Sequence, residues 1–223
     1  MIGRWTVQPA SKDRVDAFVT AKHYSHKPSI YWAGFQLVIG GRVEGVCVYG
    51  QPSPPIQLHA FRERDFKLYE LTRLVVQTTE KNAASYLIGN SLQMLPAPCA
   101  VVSFADTEYG HAGIVYQATN WIYTGMTVSH DALYLIDGKK LHPMTLRDMG
   151  ISNPKAWAAQ SGAKILKPKG KHRYFFLVGN RRQKKRMLAA LRYPVVPGYP
   201  KAEKTMYDAG PRIEVSIAGP LFT

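Results

Sequence analysis

The sequence predicts an α/β fold: a mixed central sheet flanked by helices, with a basic C-terminal extension. Three observations lead there. Apolar, β-rich runs alternate with amphipathic stretches through the first two thirds of the chain. One such run, Val101 to Phe104, opens directly into a polar corner containing Asp106, Glu108, His111, Tyr116, Asn120, Tyr123 and Thr124. Charge is also segregated. Thirteen of the 29 Lys and Arg fall between Met149 and Ala202, a window without Asp or Glu, and the remainder of the chain is close to neutral. Ligands of open α/β sheets sit at the carboxyl ends of strands, so the corner after Phe104 reads as a site.

Taken in order, Ser11 can cap a helix running to about Ala21, with Val15, Phe18 and Val19 inward. A polar loop, Lys22-His23-Tyr24-Ser25-His26, follows. Trp32 to Ile39 and Val43 to Tyr49 form a hairpin around Gly40-Gly41, and a loop then reaches Arg64. Leu68 to Val76 is the next strand. It carries Glu70 and Arg73, which are costly inside a sheet unless paired or used; Arg73 is read as a site residue, and Glu70 stays open between an ion pair and a role. Gln77 to Ala84 leads into an amphipathic helix, Ala83 to Leu95. A strand, a polar loop and a helix N-terminus can cradle phosphate, with Gln77, Asn82 and Ser85 as added donors and Ser103 in the next strand completing a donor-binding set.

Beyond the corner, a short helix carrying Tyr116 precedes a strand at Trp121 to Thr124, and Tyr134 to Leu141 is a hairpin around Asp137-Gly138. Short helices are expected at Pro143 to Met149 and Pro154 to Gln160, then a strand at Lys171 to Val178 and a basic helix at Gly179 to Leu191. The domain reading is a core over 1–148 and a basic segment with its tail over 149–223, packed on that core.

The 223 residues are 46% apolar, enough for one sizeable core. No apolar run approaches membrane-spanning length and no signal-peptide core is expected, which points to a cytoplasmic protein without a membrane partner. Cys47 and Cys99 lack metal-binding spacing and read as buried, reduced thiols. A net charge of +14 concentrated in one segment is the footprint of phosphate-backbone binding. Arg181, Arg182, Lys184, Lys185, Arg186, Lys169, Lys171 and Arg173 are the candidate contacts to double-stranded DNA. Tyr49, Trp121 and Tyr123 are candidate stacking platforms for an extruded base.

The order helix, hairpin, strand, polar loop, helix, strand, Tyr-bearing helix, strand resembles the GNAT acyltransferases. That resemblance implies a central sheet whose two middle strands splay around an acyl donor, and Tyr116 as the acid for the leaving group. The glycine-rich pyrophosphate signature of coenzyme A users is absent from Gln77 to Ser85. More specifically, ELTRL (Glu70 to Leu74), NAASYLI (Asn82 to Ile88), VVSFAD (Val101 to Asp106) and GHAGIVYQATNWIYTG (Gly110 to Gly125) resemble the Mom DNA-modification proteins of Mu-like phages.

The Mom resemblance implies conversion of adenine in DNA to its N6-carbamoylmethyl form, which protects phage DNA from restriction, with function on His23, Tyr24, Arg73, Ser85, Asp106 and Tyr116. It also implies acetyl-coenzyme A and iron. His23, Asp106 and His111 are the residues that could hold a metal, although their spacing does not demand one. In the expected reaction Asp106 is base, Arg73 holds an oxyanion or donor phosphate, and Tyr116 is the acid. A glycyl group, unlike an acetyl group, already contains the two carbons and the nitrogen of the product. The donor therefore stays open between glycyl-tRNA, with tRNA as a second partner, and acetyl-coenzyme A. The alternative is a DNA-binding accessory or anti-restriction protein without catalysis.

Overall fold

Alternation of apolar side chains along the strands builds a sheet covered on both faces. The computed structural model describes residues 5–23, 26–28, 30–63, 65–128, 132–167 and 169–201. In chain order the elements are β1 (Trp5–Pro9), α1 (Lys12–Lys22), β2 (Ala33–Ile39), β3 (Arg42–Gly50), α2 (Pro54–His59), β4 (Lys67–Val76), α3 (Ala83–Gln93) and β5 (Cys99–Asp106). A 3-10 turn at Thr107–Tyr109 leads to α4 (Ile114–Ala118), β6 (Ile122–Met126), β7 (Leu133–Ile136), β8 (Lys139–Leu141), α5 (Pro143–Asp148) and α6 (Pro154–Ser161). The last elements are β9 (Lys164–Leu166), β10 (Lys171–Val178) and α7 (Arg181–Ala190).

The main sheet has seven strands in the order β1-β2-β3-β4-β5-β10-β6. Its pairs are antiparallel except β4 with β5, which is parallel. Strand alternation sends neighbouring residues to opposite faces. Phe35, Leu37, Cys47 and Val101 therefore meet Leu87, Ile88 and Leu92 of α3. On the other face Val38, Val46, Val48 and Val75 meet Val15, Phe18 and Val19 of α1. Beside α1, Ile56 of α2 and Met187 and Ala190 of α7 cover Ala100, Val102, Phe175 and Leu177. The first hairpin turns at the expected glycine pair: Gly40 and Gly41 have φ of 57° and 80°, which suits the twist of a two-residue turn.

The basic segment is woven into the core. β10 enters the sheet between β5 and β6, so the last strand of the described residues is an interior one. The smaller sheet, β8-β7-β9, joins residues on both sides of position 148, and Tyr134, Leu146 and Ala158 form its own core. Three elements occupy stretches that the sequence pattern reads as connections: β1, α2 within the expected loop to Arg64, and β9. Cys47 and Cys99 are free and buried, and burial pushes both thiols up to about 12. Among the described residues no helix is long and apolar enough to cross a membrane.

Candidate active site

β4 and β5 pair only from Lys67 to Glu70 against Cys99 to Val102. Beyond Glu70, β4 continues to Val76 on β3 alone, and β5 continues to Asp106 on β10. The sheet forks here. A fork leaves backbone groups without ladder partners inside the protein, and these need other partners. Ser103 supplies one, its hydroxyl lying 2.9 Å from the Leu71 carbonyl.

Tyr116 reaches the fork from α4, its hydroxyl 2.8 Å from Ser103 Oγ. The approach depends on Gly113, which caps α4 in the left-handed region at φ 73°. A Cβ there would stand 2.6 Å from the Tyr174 ring and 2.9 Å from the Tyr116 ring. Tyr116 is buried against Trp121 and Tyr174. Burial pushes its phenol up to about 12, with the Ser103 hydrogen bond opposing and the charge of Glu70 assisting. It is a protonated donor at neutral pH.

Glu70 is the last residue of β4 paired with β5. Burial raises its carboxyl to about 7, against the lowering influence of Lys171, Arg73 and the Ser53 backbone amide. Near neutrality it can both accept and release a proton, the property required of a general acid–base group. Residue type leaves Glu70 undecided. An acid in an apolar strand is its one signal, and only the point where pairing ends shows that it faces the fork.

Asp106 terminates β5. Its Oδ2 lies 2.8 Å from Lys171 Nζ, directly across the β5–β10 ladder, and its Oδ1 accepts from the Glu108 amide at 3.0 Å. Each oxygen has one partner and keeps a further lone pair that could accept from an incoming amine. Arg73 donates from Nε to Lys27 O at 3.3 Å and from one terminal nitrogen to Thr72 O at 2.8 Å, tying the segment after α1 to β4.

His23 is the C-terminal cap of α1 and is buried. Burial lowers its imidazole to about 4, helped by Arg73, His111 and His26, so it is neutral at pH 7. Burial also lowers His111, with Asp106 acting the other way. Tyr116, Glu70, Arg73, His23, His111, Asp106 and Lys171 thus lie around the fork, linked one to the next by electrostatic influence or ion pairing. Tyr24 lies outside the described residues.

The expected donor-binding side chains are turned onto the protein's own backbone. Gln77 Nε2 donates to Val43 O at 3.0 Å, and Ser85 Oγ donates to Asn82 O at 3.0 Å. Asn82 is an exposed cap at φ 67°, and Ser103 is the fork's hydrogen-bond bridge. The expected metal set does not assemble: among the described residues no group of three or more His, Cys, Asp and Glu could hold an ion.

The basic residues divide. Arg181, Arg182, Lys184 and Lys185 are exposed on α7, and Lys169 is exposed beside β10. Arg186 is instead ion-paired, at 2.8 Å to Glu63 and 2.6 Å to Asp65. Lys171 belongs to the fork. Arg173 is buried, its Nε and one terminal nitrogen donating to Thr124 at 3.0 Å, with the guanidinium 3.4 Å above the Tyr193 ring. A cation so enclosed does not face a phosphate. Among the aromatics, Tyr49 and Trp121 are fully buried and Tyr49 is bonded to Ser91 at 2.7 Å, so both are core rather than stacking platforms. Tyr123 is buried at 9% exposure, its hydroxyl 2.8 Å from His172 Nδ1.

A family model described as the Mom protein family matches residues 4–195. The methylcarbamoylase mom of Escherichia phage Mu is 28% identical over 194 residues, spanning 82% of this chain and 78% of that protein. Solved structures with similar topology are acetyltransferases. One is NAA60 of Arabidopsis thaliana with acetyl-CoA (11% identity, TM-score 0.48, 79% of this chain and all of that one). Another is a GNAT-family acetyltransferase of Bacillus cereus (11%, TM-score 0.43, 80% and all). At these scores the likeness carries no argument about donor or substrate.

Proposed function

Because the chain belongs to the Mom protein family, we propose that it is a DNA-modifying transferase that carbamoylmethylates the N6 amine of adenine and so shields phage DNA from restriction in the host cytoplasm. The observation that supports this reading best is the set of groups at the β4–β5 fork. A carboxyl raised to about 7 and a phenol raised to about 12 meet at the fork, close enough for the charge of Glu70 to act on Tyr116. Two groups whose environments push them to different protonation states are what paired acid–base chemistry requires.

The adenine amine is a weak nucleophile because its lone pair is delocalised into the ring, and it becomes reachable only when the base leaves the stack. In the fork, Glu70 takes the proton that the amine sheds on attack, with Asp106 as the second carboxylate orienting it. Arg73 stands where an oxyanion would develop. Tyr116 returns a proton to the departing group, and Ser103 holds the phenol in place. Neutral His23, beside Arg73, accepts or donates a hydrogen bond without adding charge. Arg181, Arg182, Lys184 and Lys185 supply phosphate contacts to double-stranded DNA.

The donor is an activated acyl group. Glycine activated as an ester, as on a tRNA, balances the product without redox chemistry. The amine attacks the glycyl carbonyl, and the alcohol of the carrier leaves with a proton. The free glycyl nitrogen then attacks ring carbon six through a five-membered arrangement, and the original nitrogen departs from the ring as the amide. The result is a ring–NH–CH2–CO–NH2 group. An acetyl donor lacks that nitrogen and requires a second nitrogen source. Feeding doubly labelled glycine distinguishes the two: both carbons and the nitrogen enter the modified base together from glycine, whereas label arriving from acetyl-coenzyme A alone rules the glycyl route out.

The whole reading is tested by nucleoside mass spectrometry of DNA from cells making this protein. A carbamoylmethylated adenine supports it. DNA that is bound but unmodified leaves a DNA-binding anti-restriction protein instead.

A further inference from the structure

On the far side of β10 from the fork, a cavity of about 420 Å³ opens between α7 and the edge strand β6. Its floor is apolar, made by Ile122, Phe175 and Phe176 with Leu188 at the lip. Arg181, Lys184 and Lys185 stand along its wall. They follow from helix geometry: positions 181, 184, 185 and 188 are three, four and seven residues apart and share one face of α7. Met187 and Ala190 take the buried face. Glu63 and Asp65, acids near this helix, are occupied by Arg186 away from the cavity.

Two further details define what the cavity suits. Lys184 Nζ lies 5.9 Å above the Phe176 ring, so a cation already sits over an aromatic face that is only partly covered. Asn120, held at φ 59° in the turn before β6, adds an amide that can both donate and accept at the rim. An aromatic ring in an apolar lining, one amide and three cations, with no acid in the lining, are complementary to a nucleotide: a base to stack, an edge to hydrogen-bond, phosphates to neutralise. The cavity lies four to six residues along β10 from Lys171, roughly 13–20 Å at the rise of a strand. It is therefore separate from the fork.

We propose that this groove binds an unpaired nucleotide of the nucleic-acid substrate, its base lying on the partly covered Phe176 ring and its flanking phosphates met by Arg181, Lys184 and Lys185. The inference rests on nucleic acid being the partner, as proposed above, and adds a second nucleotide site remote from the reacting base. Such a site explains why apolar Leu188, 44% exposed, stands among cations. It also separates α7 into a reading face and a flank that Arg186 pins to the protein.

The test uses the full chain and synthetic DNA. A single-stranded oligonucleotide carrying 5-iododeoxyuridine is photo-crosslinked, and the adduct is expected on the tryptic peptide Tyr174–Arg181. In parallel, a duplex with one extrahelical thymidine is compared with the fully paired duplex. The extrahelical form binds wild type about fivefold to a hundredfold more tightly, the range expected for one stacked base. That gain disappears in Leu188→Asp and persists in Tyr116→Phe. An adduct confined to fork peptides, or a gain retained in Leu188→Asp, overturns the proposal. The outcome is independent of the transferase reading: an adduct on Tyr174–Arg181 with unmodified adenine sinks the enzyme and keeps the groove, and modified adenine without that adduct does the reverse.

Discussion

The fork between β4 and β5 and the face of α7 are both rich in charge, and they use it in opposite ways. At the fork, Lys171 and Arg73 act on Glu70, Arg73 and His111 act on His23, and the burial of Glu70 and His23 removes much of the water that would screen them. On α7, Arg181, Lys184 and Lys185 are exposed and the basic segment around them holds no acid, so they act as a sum. Burial shifts the protonation of Glu70 and His23; exposure leaves the α7 cations as a summed positive field. Lys171, which looks like one more phosphate ligand in sequence, is exposed yet ion-paired with Asp106, because β10 places it across from that residue.

The sharpest way to break this comparison is at Tyr116. Tyr116→Phe keeps the ring packing and removes the proton. Modification is expected to fall by about a hundredfold to ten-thousandfold, the usual contribution of one acid–base group, with DNA affinity unchanged. Glu70→Gln should cost a comparable factor and Asp106→Asn less, because each Asp106 oxygen already has a partner. Quantifying modified adenine per genome ranks the three. If Asp106→Asn is the more severe, Asp106 rather than Glu70 is the base.

Stability against pH sharpens the same contrast. Glu70 has its folded value raised from 4.5 to about 7. Its ionisation therefore weakens the fold progressively from pH 4.5 upward, and the penalty is complete above 7. Glu70→Gln should be neutral at pH 4.5 and stabilising at pH 8 by on the order of 3 kcal/mol. His23 runs the other way. Lowered from 6.5 to about 4, it leaves stability intact above 6.5 and erodes it as pH falls toward 4. His23→Asn should reduce acid sensitivity in that window. Urea midpoints at pH 4.5, 6 and 8 read both effects, and flat differences would mean the fork is better hydrated than its burial implies.

Smaller effects belong to α7. Replacing Arg181, Lys184 and Lys185 by alanine should lower the slope of log affinity against log salt for duplex DNA by about 0.9 for each phosphate no longer neutralised. Arg186→Ala should leave that slope unchanged. It should cost little stability, since its pairs with Glu63 and Asp65 are on the surface and screened by solvent. A slope that falls equally for Arg186 would erase the division of the helix into two flanks.

Strands and helices were legible where local pattern decides them. β10 forms over Lys171–Val178 as its sequence proposes, and the Gly40-Gly41 and Asp137-Gly138 turns close both hairpins. Strand order was not legible, because nothing in KHRYFFLV says that its partners are β5 on one side and β6 on the other. That order decides the site. It buries Arg173 against Thr124 and Tyr193, brings Lys171 to Asp106, and ends the β4–β5 pairing at Glu70. Arg73, Asp106, His23 and Tyr116 could be picked from residue type and place along the chain. Glu70 could not, since its place at the fork depends on where two strands part.

The most direct test of the fork as the seat of chemistry is nucleoside mass spectrometry of DNA from cells making the wild-type chain or Tyr116→Phe, at matched protein levels and with thermal unfolding confirming that the variant is folded. The prediction is carbamoylmethylated adenine with the wild-type chain and almost none with Tyr116→Phe. Modified adenine at the wild-type level from the folded Tyr116→Phe protein would contradict it.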